Sequence, residues 1–340
     1  MYENCGLKKR GINMKYRKLG STGYEISEVS LGTWQLGGKW GAAYDEKTAD
    51  TILNTAFDAG INFIDTADVY NGGMSEKSIG KFIKSKKDKI YVATKCGRQL
   101  DPHVAEGYNR ENITGYIEES LSRLDVDALD LVQLHCPPTD VYYRLEAFDT
   151  LRDLKKQGKI KHFGVSVEKV EEALKAIEFE GVETVQIIFN MFRQRPNELF
   201  FEQAKKRNVG ILARVPLASG LLSGKFTRDT KFDEKDHRNF NRGGAAFDKG
   251  ETFSGVDYET GLYAVDKLKG IFGHENLPLY ALKWILMHDE VSCVIPGASR
   301  AEHIGMNVRA SEWADLTDTE MHEVKKVYEA YIKNPVHYLW

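Results

Sequence analysis

Asp65, Tyr70, Lys95 and His135 are the residues in this chain whose types and placement suggest chemistry. Asp65 closes the apolar run Ile61–Ile64, and Tyr70 follows it by five residues; Lys95 ends Ile90–Thr94, and His135 ends Leu129–Leu134. A lysine buried at such a position requires a counter-charge, and Asp65 is the available one. A tyrosine beside that ammonium has its phenolate stabilised, so its pKa is expected to fall from about 10 towards the working pH and make Tyr70 a general acid. His135 alongside would orient a carbonyl oxygen and assist the proton. No side chain supplies a hydride, so a proton donor poised over a carbonyl implies a nicotinamide cofactor. Each residue alone has a plain structural explanation, as a cap, a solvent-facing terminus or loop packing. Their equivalent positions after three consecutive apolar segments tip the balance, because such ends are neighbours in a closed barrel.

The elements that must position them follow a strand, loop, helix rhythm. Strands are expected near Ser30–Thr33, Phe63–Asp65, Ile90–Thr94, Leu129–Leu134, His162–Val165, Thr184–Ile187, Ile211–Arg214 and Cys293–Ile295. Apolar residues at helical spacing mark Lys47–Ala59, Ser75–Lys84, Asn109–Leu124, Tyr143–Gln157, Val167–Phe179, Glu198–Arg207, Tyr258–Ile271, Pro278–His288 and Ala301–Ala310, with a further amphipathic helix over Glu312–Lys333. Eight strands alternating with helices, and no G-x-G-x-x-G after the first, indicate an α/β fold of the (β/α)8 TIM-barrel type rather than a doubly wound sheet. Tyr16–Ser30 alternates around a Gly-containing turn and reads as a β-hairpin ahead of the barrel. Residues 1–13 read as a disordered extension and 14–340 as one domain. Leu217–Gly255, after the seventh strand, is too long for an ordinary connection and is a candidate lid over the active face.

Composition narrows the partners. With 340 residues and a formal net charge of -3, the chain gives no electrostatic reason to expect nucleic acid or an anionic membrane. No apolar run reaches the roughly 18 residues of a membrane span, and the first residues lack the apolar core of a signal peptide, so a cytoplasmic location is expected. The four cysteines, Cys5, Cys96, Cys136 and Cys293, show no metal-ligand spacing and read as reduced thiols. No metal is expected.

From about Lys15 to Tyr331 the chain resembles the aldo-keto reductase superfamily, in its bacterial type. The pieces that carry the resemblance are Ile61–Tyr70, Ala93–Lys95, Gln133–His135, Gly164-Val165-Ser166, Val185–Asn190, Pro216–Lys225 and Ile295–Asn307. It implies the (β/α)8 barrel, a catalytic tetrad of Asp65, Tyr70, Lys95 and His135 with Tyr70 as proton donor, and reduction of aldehydes and ketones or the reverse on sugars and polyols. It also implies cofactor contacts. Ser166 and Gln186 match the residues that hold the nicotinamide carboxamide. Pro216, Leu217, Ser219, Gly220, Leu221, Ser223 and Lys225 match the segment around the pyrophosphate, with Arg238 possible above it. Gly297, Ala298, Ser299, Arg300, His303 and Asn307 match the adenosine end, and Thr33 and Trp34 are placed beside the cofactor too.

An Arg at the start of a helix suits a 2′-phosphate, which favours NADP(H) over NAD(H). Two departures stand out: Val167 replaces a frequent Asn, and Arg214 replaces the aromatic residue commonly found under the nicotinamide ring. Arg214 could stack its guanidinium there or turn away. Trp34, Trp40, Tyr70 and Phe192 are expected to wall a pocket for small to medium apolar or aromatic carbonyls. Arg98 and Arg193, near strand ends, leave an anionic substrate open. The superfamily also contains channel-associated members, so a cofactor-binding regulatory or sensor subunit is the alternative function.

Overall fold

The computed structural model describes residues 13–38 and 43–340, so Trp40 and nearly all of the expected extension lie outside the described residues. A two-stranded hairpin, β1 (Tyr16–Lys18) with β2 (Glu25–Ser27), precedes eight parallel strands. These are β3 (Leu31–Gly32), β4 (Phe63–Asp65), β5 (Tyr91–Cys96), β6 (Leu129–His135), β7 (Ile160–Ser166), β8 (Val182–Ile188), β9 (Gly210–Arg214) and β10 (Val291–Ile295). They pair in chain order, and the parallel bridges Val29 to Val294 and Gly32 to Gly297 draw the last strand back to the first. The result is the expected (β/α)8 barrel. β4 to β10 are buried almost throughout, as strands covered on both faces must be.

The helices are α1 (Glu46–Asp58), α2 (Met74–Lys84), α3 (Arg110–Leu124), α4 (Leu145–Lys156), α5 (Val170–Ala176), α6 (Phe200–Lys206), α7 (His237–Phe240), α8 (Tyr258–Phe272), α9 (Leu277–Leu286), α10 (Ala301–Glu312), α11 (Asp318–Val327) and α12 (Lys333–Val336). Their starts are set by local chemistry. The Asp45 carboxylate accepts from Lys47 N and Thr48 N at the head of α1, and Asn109 accepts from Asn112 N at the head of α3. None of the described helices is long and apolar enough to cross a membrane.

Two helices depart from the sequence pattern. α5 begins at Val170 because Val167 N still donates to Gln186 O (2.9 Å), while Glu172 draws in Glu168 N and Lys169 N. The helix expected over Glu312–Lys333 is interrupted: α10 ends at Glu312, Thr317 and Glu320 form a capping box that starts α11, and a π turn spans Tyr328–Ile332.

The apolar interior has two parts. Phe63, Ala93, Leu131, Leu212 and Cys293 fill the barrel, with Leu19 and Ile26 of the hairpin packed among them. A larger shell lies between barrel and helices. One end of the barrel is thus stoppered by the hairpin, and the strands' carboxyl ends are left for the site.

Close helix packing has a testable cost. Gly80 in α2 meets α3 so closely that an added Cβ would lie 2.4 Å from Leu124 O. Alanine is the better helix former by about 1 kcal/mol, yet overpacking of this kind costs about 1–3 kcal/mol. Gly80→Ala should therefore lower the urea midpoint, as read by circular dichroism; an unchanged or raised midpoint would refute the close approach.

Candidate active site

β4, β5 and β6 bring Asp65, Lys95 and His135 to the barrel mouth, and the loop after β4 returns Tyr70 over them. Lys95 Nζ donates to Asp65 Oδ2 (2.6 Å), Thr66 O (2.7 Å) and Tyr70 Oη (3.3 Å). An ammonium has three protons and cannot accept, so Tyr70 Oη is the acceptor in the last bond. Its own proton is left to point elsewhere. Asp65 Oδ1 accepts from Gln186 Nε2 (2.7 Å), which ties β4 to β8 and orients the Gln186 amide. The His135 ring stands edge-on to Tyr70, with centroids 5.9 Å apart.

The electrostatics correct one expectation. Burial raises the Tyr70 pKa above its ordinary value; Lys95 opposes this, but Asp65 partly cancels the ammonium's field. Tyr70 is therefore held protonated rather than brought down to neutral pH. Burial disfavours charge on Lys95 as well, yet Asp65 and Tyr70 outweigh it and lift its pKa, so the ammonium persists. His135 is driven well below its usual value by burial, then by Arg98 and Lys95, and stays neutral. Its Nδ1 is buried without a hydrogen-bond partner among the described residues.

A cavity of about 1040 Å³ opens over Asp65, Tyr70 and His135 and continues to Arg300, His303 and Asn307. Lys95 lies behind Tyr70, outside the lining. Along the way the cavity is lined by Thr33, Trp34, Ser166, Gln186, Arg214, Pro216, Leu217, Ser219, Gly220, Ser223, Lys225, Arg238 and Gly297. Three other expected residues are placed differently, of which Ala298 is buried, 1% exposed, outside the lining. Leu221 is buried in the core, where its side chain faces Gly261, and Ser299 stands beside the cavity, its N–H donating to His303 Nδ1 (3.4 Å). Phe192 is also in the core, 1% exposed, because the tight Asn190–Arg193 turn after β8 carries it away from the mouth. It does not wall the pocket.

Backbone strain concentrates at this face. Val215, Ala218 and Ser219 adopt φ of 53°, 47° and 54°, as do Asn71 (50°) just after Tyr70 and Cys136 (48°) just after His135. A β-branched residue in that region is an outlier, and such strain clusters at functional sites.

Arg214 meets a fate that sequence could not specify. Its guanidinium donates to Val167 O (3.0 Å) and Glu168 Oε2 (2.9 Å) and faces Glu251 Oε2 at 3.7 Å. Arg98 closes the set, donating to Glu168 Oε1 (3.1 Å) and Glu251 Oε1 (2.5 Å). Burial and the adjacent Glu251 push Glu168 up to about 8. Burial acts on Glu251 too, but Arg98 and Arg214 override it and hold that carboxyl well below the usual range. Cys136 Sγ and the two carboxylates lie within 4.8 Å of one another, a donor set already occupied by the two guanidiniums. Arg193, by contrast, is buried under the long loop, where it donates to Gly250 O (3.2 Å) and stacks 4.1 Å from the Trp340 ring centroid.

The long loop also supplies residues that sequence reasoning did not single out. His237 and Phe247 pack on Trp34, with ring centroids 5.1 and 5.9 Å away, and Trp34 lies 6.3 Å from Tyr70. Glu251 and the loop's far part are tied back to the Pro216–Lys225 segment through Ser219 Oγ, which donates to Glu251 O (3.0 Å). The sequence signal for these residues was the loop's length alone; Glu168 could have been noticed as the second residue past a strand end.

The donor set at the far end fits a nicotinamide dinucleotide. Lys225, Arg238 and Arg300 line the cavity with the turn at Gly220, φ 98°, while the Ser219 and Ser223 hydroxyls beside them donate to Glu251 O (3.0 Å) and Gly220 O (2.6 Å). Cationic side chains and close-approach backbone are what a diphosphate requires. Arg238 is forked onto Asp236 (Nε 2.9 Å, Nη2 2.5 Å), so part of its charge is already matched.

Comparison with known proteins agrees with this geometry. Residues 28–329 match the model of the aldo/keto reductase family. The chain belongs to that family. Its members work with nicotinamide cofactors. Relatives within it include the Bacillus subtilis aldo-keto reductase YhdN, 31% identical over 95% of this chain and 96% of that one. Among solved structures, the Gluconobacter oxydans glycerol dehydrogenase AKR11B4 superposes with a TM-score of 0.75 at 30% identity, covering 95% of this chain and 97% of that one. The holo form of Bacillus halodurans AKR11C1 gives 0.75 at 27% identity, covering 93% and 96%.

His237 gives this family member's long loop an acid-sensitive anchor. Burial lowers its pKa from 6.5 to about 4. Above pH 6.5 it is neutral in both folded and unfolded chains. Between there and about 4 the unfolded chain takes up a proton that the folded one refuses, so stability is lost as pH falls. His237→Gln should flatten the acid limb of the unfolding free energy, obtained from urea titrations at each pH, by about 2–3 kcal/mol relative to the unsubstituted chain; parallel profiles would rule the anchor out.

Proposed function

We propose that this chain is an NADP(H)-dependent oxidoreductase that reduces aldehydes and ketones to alcohols, and runs in reverse on sugars or polyols, with Tyr70 as general acid. The observation that carries this proposal is the exhausted donor capacity of Lys95. Because Lys95 donates to Tyr70 Oη and burial keeps the phenol protonated, the Tyr70 proton is available to an oxygen in the cavity. Reduced nicotinamide, when bound, supplies the hydride that reaches the carbonyl carbon. Tyr70 gives its proton to the oxygen, so the C=O π pair ends as an O–H bond, and the phenolate left behind is stabilised by the Lys95 ammonium until it regains a proton. Neutral His135 offers a hydrogen bond to the same oxygen without adding charge. Asp65 holds Lys95 in place. In reverse Tyr70, deprotonated, would take the alcohol proton.

Ser166 and Gln186 are the residues proposed to hold the carboxamide of the cofactor. The segment from Pro216 to Lys225 would receive the diphosphate, and Arg300, His303 and Asn307 the adenosine end. Arg300 Nε donates to His303 Nε2 (3.0 Å) and lies 3.8 Å from Glu302 Oε2, while its terminal N–H groups make no other hydrogen bond among the described residues and are left for a 2′-phosphate. A cytoplasmic enzyme acting on small molecules is the setting that suits such a cofactor.

Tyr70→Phe should reduce carbonyl turnover by about 10²–10⁴, followed as loss of reduced-cofactor absorbance, while cofactor binding by fluorescence titration is unchanged. Since the Tyr70 pKa is raised, the reduction rate should stay level through neutral pH and fall only above about pH 10. A bell centred near neutrality, or full activity in the Phe variant, would exclude Tyr70 as the acid. Tight cofactor binding with negligible turnover on a broad carbonyl panel would instead favour the regulatory function. Arg300→Leu should weaken NADPH binding about tenfold and leave NADH binding as it was; equal losses for both would remove Arg300 from the 2′-phosphate.

A further inference from the structure

Three polar side chains inside the barrel have atoms with no hydrogen-bond partner among the described residues, and they come from neighbouring strands. Gln133 leaves both amide atoms unpaired, Thr184 its hydroxyl and His135 its Nδ1, at residue exposures of 0%, 0% and 5%. All three face inward. Leu131 lies in the barrel core, so Gln133 and His135, further along β6 at alternate positions, share its face. Gln186 lines the cavity, so Thr184, at the preceding alternate position of β8, faces inward as well.

Register sets Gln133 and Thr184 on either side of one strand: Gln133 pairs with Gly164 of β7, and Gly164 pairs with Thr184. Gly164 puts no side chain between them. A Cβ there would lie 2.1 Å from Thr184 Oγ1, so the hydroxyl leans over the bare backbone of β7. Buried polar atoms are paired with protein or with ordered water, and water suits a site that offers it several polar partners.

The other donors close to His135 are engaged. Lys95 gives its three protons to Asp65, Thr66 and Tyr70, and Gln186 Nε2 donates to Asp65 Oδ1. What remains for His135 Nδ1 is water held by Gln133 Nε2 and Thr184 Oγ1. A water that accepts from both has its two lone pairs occupied, so it can only donate to the imidazole. The neutral ring then carries its single proton on Nε2, towards the cavity that His135 lines. With the proton on Nδ1 instead, Nε2 would present a lone pair to a carbonyl oxygen and repel it.

We propose that Gln133 and Thr184 form a buried water site beneath the tetrad, and that water bound there donates to His135 Nδ1 and keeps the imidazole proton on Nε2. Neither residue lines the cavity, so both are positioning residues that act through His135. The catalytic consequence rests on the reductase function proposed above, because a carbonyl oxygen over Tyr70 is what needs the Nε2 proton.

Long-range proton–nitrogen correlation NMR of the full chain, labelled with 15N at histidine, reads the proton's position directly, with the His135 signals assigned by their loss in His135→Asn. The Nε2–H form should predominate at neutral pH. Gln133→Leu removes the amide and keeps an apolar side chain of similar size; it should shift the ratio of the two forms towards Nδ1–H by about tenfold, the worth of one net hydrogen bond. In the same variant kcat for a carbonyl should fall in proportion to the Nε2–H population lost, with KM for NADPH unchanged. Should Gln133→Leu fail to fold, Thr184→Val, a methyl in place of the hydroxyl, must show the shift. Unchanged His135 signals in the folded variant, or a predominant Nδ1–H form in the unsubstituted chain, overturns the proposal, as does an atomic-resolution crystal structure with no water in hydrogen-bond reach of His135 Nδ1 and Gln133. If no carbonyl is turned over, the reductase function fails, and the NMR measurement still decides the water site.

Discussion

A buried ammonium held by a buried carboxylate is the constraint on which the rest depends. Lys95 and Asp65 have side chains only 1% and 5% exposed, and their atoms approach to 2.6 Å. Withdrawing such charges from water costs several kcal/mol per ion unless every proton and lone pair is satisfied. The barrel satisfies them by register. Ala93 pairs with Asp65, so Lys95 stands two residues beyond, on the same face of β5, and reaches across to β4. Gln186 arrives from β8 to occupy the other carboxylate oxygen. One carboxylate therefore joins three strands, and a slip of one residue in any of them would strand a charge in the interior.

That same burial decides what the phenol and the imidazole can do. In a site this dry, the first effect on any titratable group is to favour its neutral form. Tyr70 keeps its proton although an ammonium lies beside it, and His135 loses its own to burial and to that same cationic surrounding. The ammonium's contribution is geometric and anticipatory: it fixes the direction of the Tyr70 hydrogen bond and waits for the charge that appears when the proton leaves. A preorganised field of this kind is stronger in a low-dielectric cleft than it would be in water.

The long loop after β9 connects the two ends of the cavity. Its first residues are held at positive φ, and strain of that sort persists only where the surroundings over-determine it. Ser219 bonded to the Glu251 backbone, and Glu251 clasped by Arg98 and Arg214, are those surroundings. The Ser219 turn and the His237 and Phe247 rings that pack on Trp34 are consequently parts of one loop, so the two ends are shaped together. Arg214 belongs to this clasp.

The strands, most helices and the four residues at the barrel mouth were legible in the chain because they follow from local pattern. Apolar runs bounded by Gly and polar residues announce covered strands, and Gly60 and Gly158, at φ 89° and 77°, end helices where their positions suggested. The family resemblance added the candidate cofactor residues by position. Pattern failed wherever a side chain's fate depended on elements distant in sequence. Phe192 looks like a wall residue and is turned into the core by a tight turn; Tyr70 looks acidified and is not, because burial outweighs a neighbouring charge. The Arg98–Glu168–Glu251–Arg214 cluster draws on three separate loops, and nothing along the chain sets those residues side by side. By itself the sequence determined which residues could carry protons and which segments would be strands, since both are properties of residue type and local periodicity. Which protonation states and ion pairs those residues adopt was decided only by tertiary structure, because electrostatic energy depends on distance in space and on exclusion of water.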